Sequence, residues 1–230
     1  MSPDGKCILM GFQDCRAVIY DAKTSEESVV FEQHSAIVSA GNYSPDGKWV
    51  VTGSVNGQCF VWAAATGVER YAIDGGATNP LLNCQFSSDM TAILTHSDLF
   101  IHTWDVRTGE QRMTVNLEGA VALHEEGKEN LLSPKGAPKA PRTKDSLRNL
   151  VCVFVANNLI LVARNDRKLQ LLDPNTGLEV FQMGVRSHIN TAHSADVPLS
   201  HGDAASSDRS NASVIIGDIN GNVYLLKLVF

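Results

Sequence analysis

Short apolar runs separated by turn-forming clusters fill most of the chain. Residues 8–20 read ILMGFQDCRAVIY, 50–62 VVTGSVNGQCFVW, 160–172 ILVARNDRKLQLL and 214–226 VIIGDINGNVYLL; each is an apolar run, a turn and a second apolar run. Residues 92–104, AILTHSDLFIHTW, keep the pattern with a turn one residue shorter. The runs are rich in Val, Ile, Leu, Phe, Tyr and Trp, which fit a pleated, half-buried surface. Asn56-Gly57 and Asn220-Gly221 are strong hairpin signals, because both residue types tolerate positive φ. No long stretch carries the spacing of an amphipathic helix, so the pattern predicts an all-β chain of antiparallel hairpins.

The hairpins recur at a fixed interval. SPDGKCILMG starts at Ser2 and SPDGKWVVTG at Ser44. The strand tails IYDAKTS, VWAAATG, TWDVRTG and LLDPNTG place threonines at Thr24, Thr66, Thr108 and Thr176, spaced by 42, 42 and 68. The position of Gly11 recurs as Gly53, Ala163 and Gly217. A unit of about 42 residues that packs only against its neighbours is the mark of a repeat architecture.

These units resemble the WD-repeat β-propeller family. Trp104-Asp105 is the family's dipeptide, and Tyr20-Asp21, Trp62-Ala63 and Leu172-Asp173 stand in its place elsewhere. Glu32 to Trp62 is a nearly complete unit, with His34 lying 28 residues before Trp62 and Gln33 in place of the family's glycine. The resemblance implies a propeller of about five four-stranded blades with strand counts of three, four, four, four and three, the first and last blades incomplete. It also implies a buried network of His34, Thr52 or Ser54, and Trp62, with Val55 and Asn56 where the turn aspartate would stand. Trp104, Asp105 and Asp173 take structural blade positions, and His188 falls where a blade's histidine belongs. Met1 stands in the place of Tyr43 and Phe86, so the chain reads as part of a longer array; an open arc or a small irregular ring is the other reading.

Two insertions interrupt the single propeller region at 1–230. Residues 118–148 pass from Glu118, Glu125, Glu126 and Glu129 to a Pro- and Lys-rich half, the composition of a flexible surface loop. Its Ser133, Lys135, Lys139, Arg142 and Lys144 form a candidate interaction loop, since long loops on rigid scaffolds often carry function. Residues 193–211 form a second, polar insertion.

Composition narrows the function. The 230 residues carry a net charge of −6, which speaks against a dominant nucleic-acid footprint. Five cysteines with no CxxC pair fit neither a disulfide framework nor a thiolate zinc site. No run reaches the about 18 apolar residues of a membrane helix, and no signal peptide is evident, so a cytoplasmic protein is expected.

Phosphate-loop, dinucleotide, HExxH and nucleophile-elbow motifs do not occur. His188, His193 and His201 with Asp196 and Asp203 fit no standard metal spacing. The DINGN stretch from Asp218 has Val223 where a calcium loop needs glycine, and reads as a hairpin. The axis-facing repeat positions read as mostly small or apolar. The expectation is therefore a non-catalytic protein–protein interaction scaffold with protein partners and no cofactor, part of a larger protein or complex. The alternatives are the C-terminal sensor propeller of a nucleotide-dependent signalling ATPase, and an RNA-associated propeller using the basic loop.

Overall fold

The computed structural model describes residues 1–74, 79–116, 151–155, 158–164, 167–195, 211–218 and 220–229. The candidate loop residues Ser133, Lys135, Lys139, Arg142 and Lys144 lie outside them, as does most of the second insertion. Among the described residues, five antiparallel sheets follow one another in chain order. The first holds β1 (Cys7–Gly11), β2 (Ala17–Asp21) and β3 (Glu27–Phe31). The second holds β4 (Val38–Tyr43), β5 (Trp49–Ser54), β6 (Gln58–Ala63) and β7 (Glu69–Asp74). The third is β8 (Asn83–Phe86), β9 (Ala92–His96), β10 (Phe100–Asp105) and β11 (Gln111–Asn116). The fourth is β12 (Val151–Phe154), β13 (Ile160–Arg164), β14 (Lys168–Leu172) and β15 (Glu179–Gly184), and the fifth β16 (Ile189–Ala195), β17 (Asn211–Asp218) and β18 (Val223–Val229). These are the expected strand counts of three, four, four, four and three. Among the described residues no helix is long and apolar enough to cross a membrane.

Each of the three middle sheets buries both faces against its neighbours, which is why their strands read as near-continuous apolar runs rather than a clean alternation. Register assigns the two faces of the second blade. Val50 pairs with Trp62 and Thr52 with Phe60; this face joins Ile19 and Phe31 of the first blade in one core. Val51 pairs with Val61, and this opposite face packs on Phe86, Ile93 and Trp104 of the third blade. The third and fourth blades meet through Leu94, Ile101, Cys152 and Val162, the fourth and fifth through Leu161, Leu171, Val214 and Ile216. At about 25 cal/mol per Å² of apolar surface, these stacked cores are the main favourable term of the fold.

The repeated SPDG motif is a hydrogen-bonded turn. Ser2, Ser44 and Ser87 donate their hydroxyls to Asp4, Asp46 and Asp89 at 2.7, 2.6 and 2.7 Å. The same serine oxygens accept the backbone N–H of Cys7, Trp49 and Ala92. Gly5 and Gly47 take φ of +72° and +70° there, and Met90 holds the strained equivalent at +61°.

A second turn device explains the threonine spacing. Asp21, Asp105 and Asp173 each accept backbone N–H bonds from the residues two and three further on. Thr24, Thr66, Thr108 and Thr176 then accept the N–H two residues beyond themselves. These are local side-chain-to-backbone bonds that fix a turn without a partner strand.

Candidate functional site

In the second blade Thr52 is a buried hub. Its Oγ1 lies 2.8 Å from His34 Nε2 and accepts the Trp62 indole N–H at 3.1 Å. A hydroxyl offers two acceptor sites and one donor, so one threonine serves both rings. Trp62 stacks on Phe31 at 5.0 Å, and His34 meets Phe60 edge-on at 4.7 Å. Burial pushes the His34 imidazole down to about 4, so it stays neutral at pH 7. Ser54 faces the hairpin turn instead, toward Asn56 Oδ1 and the Gln58 carbonyl. In the third blade the Trp104 indole donates to Thr95 at 2.8 Å.

The remaining blade positions are local. Asp105 caps its turn through the N–H of Arg107 and Thr108 and binds the Arg112 guanidinium. Arg112, then those N–H groups, hold its carboxyl down to about 2. Asp173 caps the equivalent turn of the fourth blade. His188 does not occupy the place of His34. Ile189 pairs with Asp218 as Val38 pairs with Ser54, so half-buried His188 stands where Ile37 stands, three residues further along the blade.

Asp218, in the DINGN hairpin, is a hub of its own. Its carboxylate accepts the backbone N–H of Asn220 and Asn222 and the hydroxyls of Ser187 and Tyr224. The Ser187 bond, then those of Asn222, hold its pKa below the usual carboxylate range.

The inner strands enclose a cavity of about 330 Å³. Asn42 of β4, Asn83 and Gln85 of β8, and Asn190 and Thr191 of β16 supply its polar lining, and Val151, Cys152 and Val153 of β12 an apolar wall. Small or apolar residues, Leu82, Val151, Cys152, Val153 and Ala192, share this lining with four carboxamides, Asn42, Asn83, Gln85 and Asn190. Two of them also tie blades together. Asn83 donates to the Cys152 carbonyl at 2.9 Å, and Gln85 accepts the Phe154 N–H at 3.2 Å.

His96 also lines this cavity. It occupies the repeat position of Gly11, Gly53, Ala163 and Gly217, where space is short: a Cβ on Gly53 would come within 2.8 Å of Leu81. His96 is 2% exposed, and its Nδ1 has no hydrogen-bond partner. Burial pushes it down to about 4. The lining is therefore uncharged at pH 7, with donors and acceptors suited to neutral polar groups. Among the described residues, no three of His, Cys, Asp and Glu are grouped to hold a metal ion.

Comparison with known proteins agrees with this geometry. The family model "WD domain, G-beta repeat" matches residues 25–63. A guanine nucleotide-binding protein G(I)/G(S)/G(T) subunit beta-1 from Homarus americanus is 23% identical over 111 residues, 47% of this chain. The match spans only 33% of that relative's length. The crystal structure of the computationally designed Ika8 protein superposes with a TM-score of 0.62 at 18% identity, over 97% of this chain and 56% of that one. The repeat match and the distant beta-subunit relative support a WD-repeat family, and the stacked antiparallel sheets of the described residues fit an incomplete WD-repeat β-propeller.

Proposed function

We propose that the protein is a non-catalytic protein–protein interaction scaffold, working within a larger protein or complex in the cytoplasm. The observation that carries this reading is the axial cavity lined by Asn42, Asn83, Gln85, Asn190 and Thr191. Carboxamides both donate and accept, which matches the uncharged backbone and polar side chains of a peptide segment. The blades behind them are rigid, so little ordering entropy is lost when a partner docks. Five free cysteines support a reducing compartment. Ser133, Lys135, Lys139, Arg142 and Lys144 are proposed as a second, electrostatic contact, on the strength of their composition.

A photo-crosslinking amino acid at position 42 or 190 tests the reading in cells that make the protein. Partner adducts are expected from those sites, from far fewer at exposed Glu179 on an outer strand, and loss of the adduct at 190 when Asn42 is changed to Arg. Equal labelling from all three positions would remove the cavity from the proposal.

A further inference from the structure

The outermost strand in each of the first four blades carries a bulge at one shared position. Val61 pairs with Tyr71 and Trp62 with Glu69, which leaves Arg70 as the extra residue of β7. In the same way Ser28, Arg112 and Val180 are the extra residues of β3, β11 and β15. A bulge re-aims the side chain it carries. Arginine fills this position twice, in different surroundings.

In the third blade Arg112 binds the Asp105 carboxylate. In the second blade Ala63 stands in the place of Asp105. Its N–H donates to the Val68 carbonyl and its own carbonyl accepts the Gly67 N–H, as Asp105 does with Glu110 and Gly109. Ala63 offers no carboxylate, and among the described residues Arg70 makes no ion pair. Asp46, in the turn before Trp49, is engaged by the Ser44 hydroxyl and by Lys48.

Aromatic rings hold Arg70 instead. Its guanidinium carbon lies 4.7 Å from the centroid of Trp49 and 5.6 Å from that of Tyr71. The third blade has Ala92 where the second has Trp49: each N–H is taken by the serine of its turn, and Trp49 pairs with Ala63 as Ala92 pairs with Asp105. The platform is fixed from below. Trp49 and Tyr71 pack on the core shared with the third blade, and the Tyr71 hydroxyl donates to the Val106 carbonyl at 2.6 Å. Stacking occupies the flat face of a guanidinium and leaves the N–H groups on its edges to bind, and Arg70 is exposed.

We propose that Arg70, stacked on Trp49 and Tyr71, docks the carboxylate of an Asp or Glu side chain on a protein partner. The third blade supplies the carboxylate internally, through Asp105; the second leaves it to come from outside. A guanidinium and a carboxylate meet as matched forks, and Arg, Trp and Tyr are the side chains enriched at the energetic centres of interfaces. The contact lies on β5 and β7, outside the axial lining, so it stands whether or not a peptide enters that cavity.

Proton–nitrogen correlation NMR of the full chain tests this, with acetyl-Gly-Glu-Gly-Glu-Gly-amide as the probe and its Gln counterpart as the control. The Arg70 Nε–H and the Trp49 indole N–H should shift saturably with the Glu peptide and stay in place with the Gln peptide. The Arg112 Nε–H, already paired, should not move. R70Q should weaken the Trp49 response by about tenfold or more, the loss of a charge-assisted hydrogen bond. R70K keeps the charge without the fork and should bind more weakly than the wild type. A63D should restore the pairing seen in the third blade, occupy Arg70 and block the probe. Circular dichroism melts confirm that each variant is folded. An Arg70 signal that ignores the Glu peptide, or follows the Gln peptide equally, overturns the proposal, as does a folded A63D variant that binds as the wild type does. Sodium acetate that shifts Arg70 at the same concentration as the peptide overturns the partner assignment and leaves a site for small anions.

Discussion

Replacing Thr52 by valine removes one hydroxyl and leaves two buried rings without a partner. Thr52 serves both the His34 imidazole and the Trp62 indole, at 2.8 and 3.1 Å, and all three side chains are at most 5% exposed. Each stranded polar group costs about 1–3 kcal/mol, and valine keeps the volume, so the change should cost about 2–6 kcal/mol. Thr95→Val strands only the Trp104 indole and should cost about 1–3 kcal/mol. Thr52→Ser keeps the hydroxyl and loses a methyl group, at about 1 kcal/mol. Urea unfolding followed by tryptophan emission gives all three values. If Thr52→Val costs no more than Thr95→Val, the hub reading is wrong, and Thr52 is only a packed side chain.

Trp104→Ala removes an indole that is 4% exposed and should cost about 3–5 kcal/mol, read as a lower urea midpoint; an unchanged midpoint would remove Trp104 from the blade core. Acid should weaken the fold through His34 and His96, both held near 4 against an unfolded value near 6.5. Above pH 6.5 neither state binds the extra proton; between 6.5 and 4 only the unfolded chain does, so stability should fall by about 1.4 kcal/mol per pH unit for each histidine. Unfolding free energies that stay flat from pH 6.5 to 4.5 would contradict that burial. Gly67→Ala should cost more than Gly5→Ala. Both glycines have φ near +70°, but an added Cβ at Gly67 would meet Val29 at 3.0 Å and one at Gly5 would meet nothing within 4 Å. Equal shifts in melting temperature would discount the contact.

The blade count was legible because each unit announces itself twice, once by an apolar hairpin and once by a turn whose residues have fixed chemistry. Asp21, Asp105 and Asp173 bind N–H groups two and three positions on, which demands the same spacing each time. The His34–Thr52–Trp62 set was reached through the family resemblance. The axial lining was not legible, for a geometric reason. Register shifts between Val38 and Ala40, and between Ile189 and Thr191, break the strict alternation of the inner strands, so counting by twos misplaces Asn42 and Asn190. His188 was misplaced by a related error. The long connection from Ala195 to Asn211 breaks the fixed period that places His34 before Trp62. His96 carried no local signal, since it fills a position where the other units have glycine or alanine.

Among the described residues, every sheet is made of strands consecutive in the chain. This has a consequence for how the protein is made. As the chain leaves the ribosome, each blade completes its hydrogen bonding as soon as its last strand emerges, and the next blade is templated on a face already in place. Synthesis and folding therefore advance together, one blade at a time. The growing end always presents a single unsatisfied apolar face, so a pause in translation between blades exposes about the same surface wherever it falls, and the need for chaperone protection stays roughly constant along the message.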